Sequence, residues 1–218
     1  MSEKVKAKWD LSRFIKTLVD FEIVPLIGCF RKKMQYTNPN QNFIFDFTNP
    51  NISNLSLWSA LDDVVMGGVS RSQFLGSIEG ALFAGDVSTA NSGGFASIRT
   101  RNIIPSLDLS KYKGIQLQVK GDGNRYKFIV RDQDSWDSVG YCYSFDTIKN
   151  QWITVTVLFS SLIPVFRAKT IPDGAPLNTT EITSLQLMLS KFEYDGKLNP
   201  HFTAGNFNLI IRSIKVII

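Results

Sequence analysis

Ile115-Gln116-Leu117-Gln118-Val119-Lys120 decides the fold class, because apolar and polar side chains alternate along it with period two. Successive side chains of a strand point to opposite faces, so the run describes a strand with one core face and one wet face. The pattern recurs on either side. Ile153, Val155 and Val157 alternate with Thr154 and Thr156, and Leu185, Leu187 and Leu189 alternate with Gln186 and Met188. Phe207, Leu209 and Ile211 alternate in part with Asn208 and Arg212. Further strands are predicted at 43–47, 71–74, 81–83, 95–100, 126–131, 141–145 and 213–217. Turn formers separate them: Gly67-Gly68, Gly93-Gly94, Gly121-Asp122-Gly123, Pro172-Asp173-Gly174 and Asp195-Gly196. No long helical period lies between the strands, which disfavours a parallel α/β sheet. About ten short antiparallel strands predict an all-β sandwich or jelly roll.

The composition suits that reading. With 44% hydrophobic and 20% charged residues the chain can build a core and is neither disordered nor collagen-like. A length of 218 residues is within reach of a single β domain. The 16 Phe are first a statement about that core, each buried ring contributing about 2–3 kcal/mol. An aromatic in a turn-rich loop is a better binding candidate, and Trp136 within Asp132-Gln133-Asp134-Ser135-Trp136-Asp137 is such a residue.

A net charge of +5 and a pI near 9.2 raise the question of a polyanionic partner. The excess is local: residues 1–42 carry eight basic and four acidic side chains, and residues 43–218 carry 16 basic and 15 acidic ones. The predicted division is therefore a basic amphipathic arm with linker over 1–42 and a sandwich domain over 43–218. One histidine, His201, excludes a multi-histidine metal site, and two cysteines, Cys29 and Cys142, exclude a four-thiolate zinc site. The expectation for the cysteines is two reduced, buried thiols, and no metal or cofactor is expected.

Within the arm, Asp10 can cap a short helix in which Leu11, Phe14, Ile15 and Leu18 recur at three- and four-residue spacing. Ser12, Arg13, Lys16 and Thr17 occupy its other face, and Pro25 ends it. Two uses are open. The apolar side chains pack back on the domain, or they dock with the Arg31-Lys32-Lys33 cluster on a membrane surface or a membrane-bound partner. Candidate partner-binding residues are Trp9, Phe14, Leu18, Lys32, Lys33 and Trp136. Nucleic acid is disfavoured, because the basic residues lack interleaved stacking aromatics. No apolar segment is long enough to span a bilayer, and no export signal is visible, so a cytoplasmic protein is expected.

Two stretches are unusually specified: Trp58-Ser59-Ala60-Leu61-Asp62-Asp63-Val64-Val65-Met66-Gly67-Gly68-Val69-Ser70 and Asn91-Ser92-Gly93-Gly94-Phe95-Ala96-Ser97-Ile98-Arg99. Neither is a phosphate loop, for no Gly-Lys-Ser/Thr and no helix pattern follows. Asp62 and Asp63 adjoin, so on a strand they point apart and make a poor acid/base pair. The local reading has Asp63 accept from the amides of the Met66-Gly67-Gly68 turn, Asn91 act likewise before Gly93, and Arg99 pair with a carboxylate or stack on Trp58.

With Gly121-Asp122-Gly123 to Tyr126 and with Trp152, these runs resemble the complex I intermediate-associated protein family over about Phe43 to Ile218. The Trp9-Asp10-Leu11 to Pro25 run is similar to the amino terminus of cyanobacterial members. The resemblance implies a galactose-binding-like jelly roll. It also implies a non-catalytic assembly factor or chaperone for a membrane-bound respiratory or photosynthetic complex, peripheral on the cytoplasmic face of a thylakoid or plasma membrane. Its motif residues here are Trp58, Asp63, Met66, Gly67, Gly68, Ser70, Asn91, Gly93, Gly94, Phe95 and Arg99, structural or binding. The alternative function is a carbohydrate-binding module using Trp136 with Asp134 and Asp137. Catalysis is not expected, since His201 lies in a loop where a solvated or locally bonded imidazole is the common case.

Overall fold

The alternation seen in the sequence becomes two antiparallel sheets facing each other across an apolar core in the computed structural model, which describes residues 7–21, 23, 42–48 and 55–218. The first sheet runs β3 (Arg71–Ser77), β4 (Gly80–Val87), β13 (Gly205–Ile217), β6 (Gly114–Lys120) and β9 (Trp152–Leu158), and β1 (Phe43–Asp46) also pairs with β13. The second runs β11 (Lys169–Thr170), β10 (Ile163–Phe166), β8 (Gly140–Asp146), β7 (Arg125–Arg131), β12 (Ser184–Ser190), β5 (Phe95–Thr100) and β2 (Trp58–Ala60). The chain is an all-β sandwich of jelly-roll type whose described residues include the α-helix α1 (Leu11–Asp20) and three short 3₁₀ turns.

Inward-facing residues of both sheets fill the core. Phe45, Phe47, Trp58 and Phe74 form an aromatic group at one end, Trp58 lying 5.3 Å from Phe45 and 5.1 Å from Phe74. Phe83, Tyr126, Phe145 and Phe207 form a second, with Phe83 and Phe207 edge to face at 4.9 Å. The Tyr126 hydroxyl escapes burial without a partner by donating to Asp122 in the Gly121–Gly123 turn.

Several boundaries differ from the sequence reading for physical reasons. The runs predicted at 207–211 and 213–217 form one strand, β13, because a bulge at Arg212 shifts the register without ending the pairing. β2, β10 and β11 escape the pattern through shortness. β12 alternates in the sequence but is buried on both faces. Leu185, Leu187 and Leu189 face the core, while Met188 joins Ile129, Cys142 and Val165 in a small apolar cluster on the other side. Segment 191–199 covers that cluster: the Lys127 ammonium donates to the carbonyls of Phe192 and Glu193, both at 2.7 Å, and lies 4.4 Å from the Tyr194 ring centroid. Cys142 is a free, buried thiol whose pKa burial pushes up to about 11, which keeps it protonated. Cys29, Pro25, the Arg31-Lys32-Lys33 cluster and most of the linker lie outside the described residues.

Candidate functional site

Both specified stretches meet at the edge of the second sheet. β2 ends at Ala60, and the chain stays beside β5 for one more residue, the Leu61 amide donating to the Ser97 carbonyl at 2.7 Å. A 3₁₀ turn over Asp63–Met66 then closes on Gly67, whose φ of 87° is a left-handed value suited to glycine. The turn satisfies itself through its main chain: Gly67 N donates to Val64 O and Gly68 N to Asp63 O.

That closure corrects the expected role of Asp63. Its carboxylate does not serve the Met66-Gly67-Gly68 amides and instead reaches across to both neighbouring segments. It accepts from Ser70 N at 2.9 Å, Ser70 Oγ at 2.7 Å, Gly94 N at 2.7 Å and Phe95 N at 3.3 Å. Gly68 and Gly93 lie against this carboxylate, and a Cβ at either position would overlap it. Ser70 extends the tie, its hydroxyl accepting from Ser88 N at 2.9 Å. Asn91, in a left-handed conformation with φ 53°, does not accept before Gly93. It donates to the carbonyls of Ala7 at 2.9 Å and Gly67 at 3.3 Å.

Asp62 makes a separate network. It accepts from Ser97 N at 3.0 Å, Ser72 N at 2.9 Å and Ser72 Oγ at 2.6 Å, and forms an ion pair with Arg13 of α1 at 2.7 Å. Each aspartate is 1% exposed. Burial pushes the Asp62 carboxyl up to about 6, outweighing the Ser72 and Ser97 hydrogen bonds and the Arg13 charge. The two carboxylates serve different ligand sets and share no open cleft.

The arm is therefore seated on the motif. Asp10 caps α1 by accepting from Ser12 N and Arg13 N, as the sequence predicts. Arg13 also donates to Ser70 O at 2.8 Å, and Trp9 Nε1 donates to Val64 O at 2.9 Å. Beyond the helix, Phe21 lies 6.3 Å from Trp136. Arg99 is placed differently from expectation: Thr100 and Ile98 flank it with inward side chains, so it points to the outer face, away from Trp58. Without a carboxylate within ion-pair distance among the described residues, it donates to Ser184 Oγ and Trp136 O, each at 3.2 Å, and lies 6.0 Å from the Phe21 centroid. Burial, and then the like charge of Arg131, holds its pKa well below the ordinary value.

The structure brings together Trp9, Asp63, Gly67, Gly68, Ser70, Asn91, Gly93, Gly94 and Phe95, with Met66 on the outside at 77% exposure. Trp58 belongs to the core. Phe14 and Leu18 are half-buried, Phe14 lying 5.3 Å from Trp9. Trp136 is half-buried, and the loop around it is internally engaged: Asp137 pairs with Arg167, and Asp134 O accepts from Asn102. His201 Nδ1 is 2.7 Å from Asp146 Oδ1. Lys32 and Lys33 lie outside the described residues. Sequence reasoning missed Asp62 and Arg13 as partners, since nothing local marks a contact spanning 49 positions. No group of three or more His, Cys, Asp or Glu is placed to hold a metal ion among the described residues.

Comparison with known proteins agrees with this architecture. A family 11 carbohydrate-binding module of a cellulosomal cellulase from Clostridium thermocellum is similar, with a TM-score of 0.56, 18% identity, and coverage of 83% of this chain and 96% of that one. The same type of module, solved with a β-1,3-1,4-mixed-linked tetrasaccharide, gives 0.54 and 19% identity over 81% and 94%. An agarase, AgWH50C, gives 0.51 and 7% identity over 80% of this chain and 26% of its own. At these identities the likeness is one of fold. No curated protein matches in sequence. The sequence profile of Complex I intermediate-associated protein 30 (CIA30) matches residues 45–211, from within β1 into β13 and including both aspartates, and the chain belongs to that family.

Proposed function

We propose that this protein is a non-catalytic assembly factor, or chaperone, that binds subunits or intermediates of a membrane-bound respiratory or photosynthetic complex through protein–protein contacts. Membership of the CIA30 family carries the reading. The site supports it, because Asp62 and Asp63 are consumed in holding Ser70, Ser72, Gly94, Ser97 and the arm. A reactive carboxylate needs an open side toward a substrate. The contact surface is composite: the arm, the motif turn beneath it, and the Trp136 loop at its end. The protein works from the cytoplasm, peripherally on the cytoplasmic face of a thylakoid or plasma membrane. Pull-down with the full chain from detergent-solubilised membranes is expected to recover subunits of one such complex. Recovery of none, with the protein also absent from the membrane fraction, removes the reading.

The fold likeness to carbohydrate-binding modules favours a second reading, a sugar-binding module. Trp136 is its natural platform, yet that ring is packed beside Phe21 and its carbonyl accepts from Arg99. A glycan array combined with Trp fluorescence titration separates the two, and a saturable response to a neutral oligosaccharide selects this one.

A further inference from the structure

Helix α1 is mounted with its polar stripe inward. Arg13, Thr17 and Asp20, spaced by four and three residues, face the sandwich; Thr17 and Asp20 are buried, and Arg13 makes the ion pair with Asp62. Leu11 and Ile15, one turn apart on the other side, are 55% and 48% exposed. A surface helix ordinarily buries its apolar stripe against the core, so this orientation leaves an apolar face without a cover among the described residues. Trp9 extends the face at 37% exposure, its ring held in place by the Nε1 bond to Val64 O, and exposed Met66 lies two residues beyond that carbonyl. Lys8 and Lys16 are exposed around it, as is Arg71, which stands 3.9 Å from Asp10. Of the two described acidic residues of the arm, Asp20 is buried and Asp10 caps the helix and faces Arg71.

We propose that Trp9, Leu11, Ile15 and Met66 dock on an anionic lipid surface, with Lys8, Lys16 and Arg71 over the headgroups. This deepens the reading of a membrane-associated protein and rests on it. Aliphatic side chains beside a fixed Trp and a surround of cations match the interface of an anionic leaflet. A second copy of the chain is a poor occupant, because it would bring like charges together.

The test is flotation of the full chain with vesicles of phosphatidylcholine and phosphatidylglycerol in equal parts, against pure phosphatidylcholine. Binding is expected to the mixed vesicles alone and to weaken with salt. Ile15→Glu, on an exposed helical position, abolishes it with helicity unchanged, and Lys16→Gln lowers affinity roughly fivefold. Equal binding to neutral vesicles, no binding, or full binding by Ile15→Glu overturns the proposal. Pull-down from detergent is a separate readout: subunits captured without vesicle binding sink the lipid face alone. Vesicle binding without captured subunits sinks the assembly function.

Discussion

A carboxylate sealed from water with four donors aimed at it is a structural commitment, and Asp63 is in that position. Asp63→Ala leaves the amides of Ser70, Gly94 and Phe95 without an acceptor, and each such buried donor costs about 1–3 kcal/mol. A loss of roughly 4 kcal/mol is expected in urea unfolding, with the m-value unchanged. Gly68→Ala pushes a methyl into the same carboxylate and costs about 1–3 kcal/mol in that assay. Met66→Ala, on the exposed side of the same turn, changes stability by less than about 0.5 kcal/mol. A Met66 effect as large as that of Gly68 would show that the turn, and not the carboxylate, is the tie. The importance of the paired glycines is legible in the sequence, but their reason is not. Gly67 needs its left-handed φ, whereas Gly68 and Gly93 make room for an aspartate side chain five and thirty positions upstream.

Among the described residues, helix α1 is held by the Arg13–Asp62 ion pair, a looser Asp10–Arg71 pair and hydrogen bonds to main-chain carbonyls, so Arg13 is the place to loosen it. Arg13→Ala leaves the Asp62 carboxylate with only Ser72 and Ser97; Arg13 is partly exposed, which reduces the cost to about 2 kcal/mol. Hydrogen exchange is expected to speed up in Leu11–Asp20 and to stay unchanged in β7 and β12. Asp62 also makes folding pH-dependent. Burial raises its folded pKa above the ordinary 3.8 to about 6, so its contribution to folding is full below 3.8 and is lost as pH rises through about 6. Urea unfolding compared at pH 5 and pH 7 for the wild type and Asp62→Asn is expected to show this loss in the wild type alone; the same pH response in both contradicts it. The helix itself was legible from Asp10 and the spacing of Leu11, Phe14, Ile15 and Leu18. Its orientation was not, because amphipathicity says which residues differ and not which side meets the protein.

At the scale of the whole molecule, the strict alternation in β6 and β9 was readable because each of those strands keeps one wet face. The reading weakened in β12, where the outer face is also covered, by segment 191–199 at one end and the Phe21–Trp136 contact at the other. The basic excess of residues 1–42 first suggests a separable leader, yet Ala7–Phe21 is fastened to the motif that marks the family. The central claim is that this motif holds the arm in place for partner recognition. Its most direct test is capture of complex subunits from detergent-solubilised membranes by the wild-type chain and by full-length Arg13→Ala, under conditions where exchange shows the arm released. The account predicts that the variant captures at least tenfold less than wild type. Equal capture by a chain whose arm is free would contradict it.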